Sequence, residues 1–149
     1  MPEPNRSRLY LLALLLVNLL AGCREVDRIT VQVNGVDAQV EVAATPDSRQ
    51  LGLMYRQQLG DDEGLLMIFA EPKEVSLWML NTPLPLDVGF FDQQGVLRSV
   101  LPMQPDGGER LYHSPPGTLY ALEMKQGWFE RNALQPGASL RLPYAITGE

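Results

Sequence analysis

Cysteine, histidine and lysine are scarce in this sequence, which has one Cys, one His and two Lys among its 149 residues. With Cys23 alone, the chain has neither an internal disulfide nor a Cys-x-x-Cys metal or redox site. A zinc site would have to rest on carboxylates beside the single His113, and zinc disfavours such a ligand set. No glycine-rich phosphate loop or dinucleotide-binding fingerprint is present. We therefore predict that the protein uses no metal and no cofactor.

Positive charge is also limited, because 12 Lys and Arg residues stand against 18 Asp and Glu residues, for a net charge of −6. Nucleic-acid binding depends on Lys and Arg side chains that replace counterions along the phosphates. Peripheral adhesion to anionic lipid depends on basic clusters, and the two lysines, Lys73 and Lys125, form none. We therefore expect no nucleic-acid partner.

The one long apolar run, at residues 9–20, is too short for a membrane-spanning helix, which needs about 20 apolar residues. Two arginines precede it, and this combination is typical of a secretory signal. The run leads into Leu-Ala-Gly-Cys23, an ending similar to the bacterial lipobox, in which the cysteine is acylated and the chain is cut before it. The alternative is an ordinary cleaved signal with Cys23 as a free thiol.

This interpretation divides the chain into a lipoprotein signal peptide at 1–22, a lipidated tether at 23–26 and a single domain at 27–149. Two or three acyl chains hold a protein stably on a membrane, whereas one binds only marginally. Because Arg24 rather than Asp follows the cysteine, we expect the outer membrane, facing the periplasm, wherever the host has one. Cleavage leaves 127 residues with a net charge of −7, enough for one domain with its own core.

The domain has the pattern of many short strands separated by turns. Alternating apolar residues flank Asn34-Gly35, which predicts a two-residue hairpin with all of these residues on one face. A threonine before Pro46 predicts a capped helix that runs to about Tyr55. Further strands are predicted at 64–69, 75–80, 86–91, 96–103, 119–124 and 139–142, with a second helix at 127–134. We predict a mainly β fold, a small antiparallel barrel or sandwich with one or two short packed helices.

Two carboxylates lie within otherwise apolar strands. Strand alternation places Asp87 on the face opposite its apolar neighbours, and Glu123 shows the same pattern. Such groups either have a partner inside the protein, for which Arg56 and Arg98 are candidates, or line a cleft with a raised pKa. Pairing is the favoured interpretation, since arginine commonly pairs with a buried carboxylate. The alternative is a catalytic acid–base pair, which requires both carboxyl groups in one cleft, about 5–10 Å apart.

Two turn-rich segments are candidate ligand-binding regions. In the first, 78–87, two prolines favour extended backbone and a stiff crossover. The second, 106–117, contains His113, but no orienting acid or nucleophile turn supports a Ser-His-Asp triad there. The candidate ligand-binding residues in the two segments, to which Glu123 is added, are Trp78, Asn81, Thr82, Asp87, Tyr112 and Ser114. For Asn81 and Thr82, the favoured interpretation is that they satisfy backbone groups of the turn, and ligand contact is the alternative.

Five methionines follow the predicted signal peptide. Thioether sulfur can bind Cu(I) in an exported protein. Methionine in an apolar run ordinarily fills gaps in a core, however, and core packing is the favoured interpretation. The five residues are Met54, Met67, Met79, Met103 and Met124.

Four motifs in the middle of the chain resemble a single family. They are Gly52-Leu53-Met54-Tyr55-Arg56, Glu63-Gly64-Leu65-Leu66, the block from Trp78-Met79-Leu80-Asn81-Thr82 to Asp87, and Ala121-Leu122-Glu123 ahead of Gly127. On these motifs the sequence is identified as a member of the DUF192 (UPF0127) family, over roughly residues 31–142. The resemblance implies a compact β-rich domain, often found behind a lipoprotein or secretion signal, with no assigned activity. Where the family usually has a basic residue after Trp-Met, this chain has Leu80.

Together these observations predict an exported envelope protein that is anchored to the membrane through lipid on Cys23. The favoured hypothesis is a non-catalytic binding or accessory module for a small molecule, a glycan or a partner protein. The alternative is a carboxylate-dependent hydrolase that acts on an envelope substrate through Asp87 and Glu123. The hydrolase requires the two carboxyl groups in one cleft, and their location on opposite sides of a sheet would exclude it.

Overall fold

The computed structural model describes residues 26–149, so the predicted signal peptide and Cys23 lie outside the described residues. This part of the chain has nine strands and two short helices. In chain order they are β1 (Ile29–Val33), β2 (Val36–Ala43), α1 (Pro46–Leu51), β3 (Glu63–Lys73), β4 (Ser76–Leu77), β5 (Leu86–Asp92), β6 (Leu97–Met103), β7 (Tyr112–His113), β8 (Thr118–Lys125), α2 (Trp128–Arg131) and β9 (Leu140–Arg141). Neither helix has the length and apolar character needed to cross a membrane.

Seven strands form one curled sheet in the order β6-β5-β8-β3-β2-β1-β9, and β4 pairs with β7 in a second sheet. All neighbours are antiparallel except β2 and β3, whose connection contains α1 and returns the chain in the same direction. The two ends of the large sheet meet, where Val96 bridges Ser139 and the Leu97 N–H donates to the Ala138 carbonyl at 2.8 Å. The predicted mainly β fold is confirmed, as a half-barrel sheet with one parallel pair.

The first hairpin forms with the predicted register, since Val33 pairs with Val36, Val31 with Ala38 and Ile29 with Val40. Asn34 and Gly35 have φ values of 49° and 82°. This left-handed backbone is what a two-residue hairpin turn requires, and Asn and Gly tolerate it best. The hairpin thus presents one apolar face to the core.

The first helix is shorter than predicted. Its N-cap and capping box form, but it ends at Leu51 because Gly52 leaves the helical region at φ 49°. Leu51 and Tyr55, which lie within the predicted helix, are 56% and 67% exposed. Leu53, beyond the helix, is the buried residue.

Two other elements are also shorter than predicted. The strand predicted at 75–80 is reduced to β4, because its only partner in the described residues is the two-residue β7. The helix predicted at 127–134 is reduced to the single turn of α2, and Ala133 beyond it has φ 52°. Both differences lie outside the seven-stranded sheet.

Strands β3, β5 and β8 lie in the middle of the sheet and are buried on both faces. One face carries the Trp128 cluster, which includes Trp128, Phe129, Phe91 and Met124. The other face carries the Leu53 cluster, which includes Leu53, Met79, Phe90 and Val88. Side chains that alternate along a central strand therefore enter different clusters.

Candidate functional site

Asp87 and Glu123 lie on adjacent strands but on opposite faces of the sheet. In the β5–β8 pair, Asp87 is opposite Met124 and Val88 is opposite Glu123. Directly paired residues share a face, and Met124 belongs to the Trp128 cluster whereas Val88 belongs to the Leu53 cluster. The hypothesis of an acid–base pair is therefore wrong, because the sheet backbone separates the two carboxyl groups.

Asp87 connects β5 to the start of α2. Its Oδ2 accepts a hydrogen bond of 2.7 Å from the N–H of Gly127, the residue that precedes α2. Burial raises the pKa of Asp87, the Gly127 hydrogen bond lowers it, and the charge of Glu130 raises it. The arginine partner that was predicted for it does not form, because Arg98 pairs with Asp92 at 3.4 Å. The contacts of Asp87 are those of a structural group.

Glu123 lies in the Leu53 cluster and is 4% exposed. Within residues 26–149 its carboxyl group has no hydrogen-bond or ion-pair partner, and burial alone raises its pKa from 4.5 to about 7. Arg56, the other predicted arginine partner, pairs instead with Glu41 at 2.5 Å. The prediction that Glu123 is paired is therefore wrong. A buried carboxyl group without a partner is costly when it is ionised.

The carboxyl group of Glu123 lines a cavity of about 250 Å³. Most of the lining residues are apolar, and they include the buried Leu53 and Leu86 and the 44% exposed Trp78. We call this space the Glu123 cavity, and it is lined by Arg49, Gln50, Leu51, Gly52, Leu53, Met54, Met67, Phe69, Ser76, Leu77, Trp78, Met79, Thr82, Leu86 and Glu123. Apolar walls with a few polar groups are the usual composition of a ligand site.

The turn after α1 brings the main chain close to the Glu123 carboxyl group. A Cβ atom placed on Gly52 would lie 4.0 Å from Oε2 of Glu123 and 3.6 Å from Cε of Met67. Gly52 also has a positive φ, which glycine adopts without strain. The family motif that starts at Gly52 therefore forms one wall of the cavity.

Arg49 is the one positively charged residue in the cavity lining. Its guanidinium donates to the carbonyl oxygens of Ala44 and Ile68 at 2.7 Å each and of Glu149 at 2.6 Å. It also stands over the Phe69 ring, 5.2 Å from the ring centroid. Arg49 therefore ties α1 to β3 and does not neutralise Glu123. Sequence patterns gave no signal for this role, because its partners are backbone carbonyls distant along the chain.

Asn81 and Thr82 line a second hollow of about 500 Å³, and of the two only Thr82 also lines the Glu123 cavity. The Asn81 carbonyl accepts from the Tyr55 N–H at 2.8 Å, and its Nδ2 donates to the Tyr55 hydroxyl at 3.0 Å. Asn81 has φ 50°, so the prediction of extended backbone at this residue is wrong. The Thr82 hydroxyl donates to the Leu80 carbonyl at 3.1 Å, and Thr82 lines both spaces.

Tyr112 and Ser114 do not line the Glu123 cavity. The Tyr112 hydroxyl accepts from the Gln104 N–H at 3.0 Å. The Ser114 hydroxyl accepts from the Val75 N–H and donates to the Pro115 carbonyl, each at 2.9 Å. Both side chains are buried and hold the small β4–β7 sheet against its neighbours.

The serine that approaches His113 is Ser76, on the facing strand. Ser76 Oγ and His113 Nδ1 are 2.9 Å apart, and both residues are exposed. No carboxylate among residues 26–149 bonds to His113, so the pair lacks the orienting acid of a triad. No cluster of three or more His, Cys, Asp or Glu residues in the same range could hold a metal ion.

The fold and the cavity define a curled β-sheet domain with a pocket on one face. A domain of this class is found in a known protein family. Residues 29–142 match DUF192, described as "Uncharacterized ACR", and the chain belongs to this family. A Sinorhizobium meliloti structure, described as a candidate transcription regulator, is similar with TM-score 0.73 and 33% identity, over 81% of this chain and 98% of that one. The structure of a Novosphingobium aromaticivorans protein of unknown function is also similar, with a TM-score of 0.73 and 27% sequence identity. The match covers 81% of this chain and 94% of the Novosphingobium chain. No curated protein matches the sequence significantly.

Proposed function

We propose that this DUF192 protein is an exported, lipid-anchored binding or accessory module whose ligand occupies the Glu123 cavity. The observation that carries the proposal is the buried carboxyl group of Glu123, which faces a cavity of about 250 Å³ without a partner in the described residues. The signal-like start and Cys23 support export and anchoring.

The carboxyl group of Glu123 destabilises the fold when it is ionised, because burial raises its pKa to about 7. Burial without a compensating partner costs roughly 1–3 kcal/mol for a polar group and more for a charge. A ligand that bonds to Glu123 would offset this cost on binding. A buried group with a shifted pKa that faces a cavity is, for this reason, a marker of functional sites. The cavity volume limits the ligand to a small molecule or to one group of a larger one.

Asp87 and Glu123 cannot act together as a hydrolytic carboxylate pair, because Glu123 lines the cavity and Asp87 lies on the other side of the sheet. A net charge of −6 opposes contact with phosphates.

The cavity methionines offer a direct test of ligand binding. The full-length protein, with ¹³C-labelled methionine methyl groups, is solubilised in mild detergent and screened by NMR against envelope sugars and small metabolites. We expect at least one compound to shift the methyl signals of Met67 and Met79, which line the cavity. Met124, on the opposite face, is the internal control and should not shift. Failure of every compound, or equal shifts at Met124, would contradict the proposed site.

Acylation of Cys23 is the test of the proposed anchor. Mass spectrometry of protein purified from membranes should show an N-terminal Cys23 that carries diacylglyceryl and acyl groups. The matched variant Cys23→Ser should remain unprocessed and lack the lipid mass. An unmodified thiol at Cys23, or native protein in the aqueous phase of a detergent partition, would exclude the anchor.

A further inference from the structure

Three methionines from three separate segments line the Glu123 cavity. Met54 follows α1, Met67 lies on β3 and Met79 follows β4. Met124 belongs to the cluster on the opposite face of the sheet. Half of the six methionines in the sequence are therefore gathered at one cavity, and their thioether sulfurs are soft, polarisable donors.

The same cavity lacks positive charge to match its one carboxylate. Glu123 has no ion-pair partner in the described residues, and Arg49 is bound to main-chain carbonyls. A cation that enters the cavity would therefore gain the attraction of Glu123 in a region of low dielectric. Trp78, which also lines the cavity and is 44% exposed, carries an indole ring, and the face of such a ring attracts cations.

We propose that the Glu123 cavity binds a soft monovalent metal cation, Cu(I), through the thioether sulfurs of Met54, Met67 and Met79, with Glu123 supplying negative charge. The inference rests on the proposed function, because it names the ligand class of that same cavity. Thioether ligands favour Cu(I) over harder metals. Calcium and magnesium require several oxygen ligands, and one carboxylate does not supply them.

Two alternative roles for the cavity residues predict different results. If the methionines only fill the core, the cavity has no affinity for a metal, and leucine replaces them without consequence for binding. If Glu123 instead attracts an organic ammonium ion, a charged amine binds and a soft metal does not. The experiment includes one arm for each of these roles.

The first arm is a titration with Ag(I), which has the charge and softness of Cu(I) but is stable in air. The full chain carries Cys23→Ser, so that its one thiol adds no site, and is held in mild detergent in chloride-free buffer with ¹³C-labelled methionine methyl groups. We expect one Ag(I) per chain and shifted methyl signals for Met54, Met67 and Met79. The Met124 signal should not change. Competition with a Cu(I) chelator, under nitrogen with ascorbate, should then show Cu(I) binding.

The second arm compares variants that conserve volume. The double variant Met67→Leu/Met79→Leu should fold, since Leu and Met have similar volumes. It removes two of the three sulfur donors. Loss of a residue that hydrogen-bonds to a metal ligand typically weakens metal binding roughly 10–100-fold. We expect the double variant to weaken Ag(I) binding by at least this factor. Met124→Leu is the matched control and should bind as the parent does. Equal affinity of the double variant and the parent would overturn the inference.

The third arm replaces the metal with n-butylammonium and, as a neutral control of similar size, 1-butanol. Shifts of the cavity methyl signals with the ammonium ion but not with Ag(I) would overturn the Cu(I) assignment and leave the proposed binding function intact. The absence of any response to Ag(I) and Cu(I) would likewise overturn it. The proposed function would then be decided by its own screen of sugars and metabolites.

Discussion

Glu123→Gln should stabilise the folded protein at pH 8 and leave its stability at pH 4 nearly unchanged. The folded-state pKa of Glu123 is raised to about 7, above the ordinary value of 4.5. The folded protein thus keeps a proton that the unfolded chain releases between these two values, and stability falls as the pH rises through this window. Above pH 7, this pKa difference lowers the free energy of unfolding of the parent by roughly 3 kcal/mol. The Gln variant keeps this stability, because its side chain does not ionise.

Urea unfolding of the parent and the variant at pH 4, 6 and 8 measures this effect. Asp87→Asn is the matched carboxyl-to-amide control on the other face of the sheet. Its gain at pH 8 should be smaller, because the Gly127 N–H donates to the Asp87 carboxylate at 2.7 Å and supports the ionised form. A Glu123→Gln protein that is less stable than the parent at pH 8 would show that Glu123 has a cationic partner, contrary to the structure.

The cost of Glu123 to the fold also bears on its function. A residue that lowers stability at neutral pH without a compensating contact is expected at a binding site rather than in a structural network. Asp87 shows the contrast, since the α2 N-terminus bonds to its carboxylate. The two carboxylates look alike in sequence but differ in what surrounds them.

Local sequence rules predicted the local parts of the fold. Asn34-Gly35 determined the first hairpin, and the cap before Pro46 determined where α1 begins. The parallel pairing of β2 with β3 and the meeting of Val96 with Ser139 were not predictable, because strand order depends on contacts distant in sequence. The early end of α1 follows from Gly52, whose positive φ takes the chain out of the helical conformation.

The candidate site shows the same division. Alternation correctly separated Asp87 and Glu123 from their apolar neighbours, but it left open whether they share a face. That question depends on the register of β5 against β8, and a shift of one residue would reverse the answer. Tyr112 and Ser114, chosen as loop residues, are buried in structural contacts instead. Loop composition alone does not show which side chains face a cavity.

Gly64→Ala should destabilise the protein by about 3 kcal/mol, at the upper end of the range for overpacked cores. A Cβ atom on Gly64 would overlap the backbone carbonyl oxygen of Glu123 and the sulfur of Met124, both on the paired strand β8. The sulfur can move, but the carbonyl belongs to the β3–β8 ladder, so the added methyl group must push the two strands apart.

Thermal and urea unfolding of Gly64→Ala measure the loss, and Gly60→Ala is the matched control. At Gly60 the new methyl group would meet only the side chain of Glu63, 2.9 Å away, which can rotate aside, so we expect a change below about 1 kcal/mol. Because β3 carries Met67 and β8 carries Glu123, separation of these strands should also displace two walls of the cavity. The Met67 methyl signal should therefore shift in Gly64→Ala even without ligand. A Gly64→Ala protein as stable as the parent, with an unchanged Met67 signal, would show that β3 and β8 are not packed as closely as the structure has them.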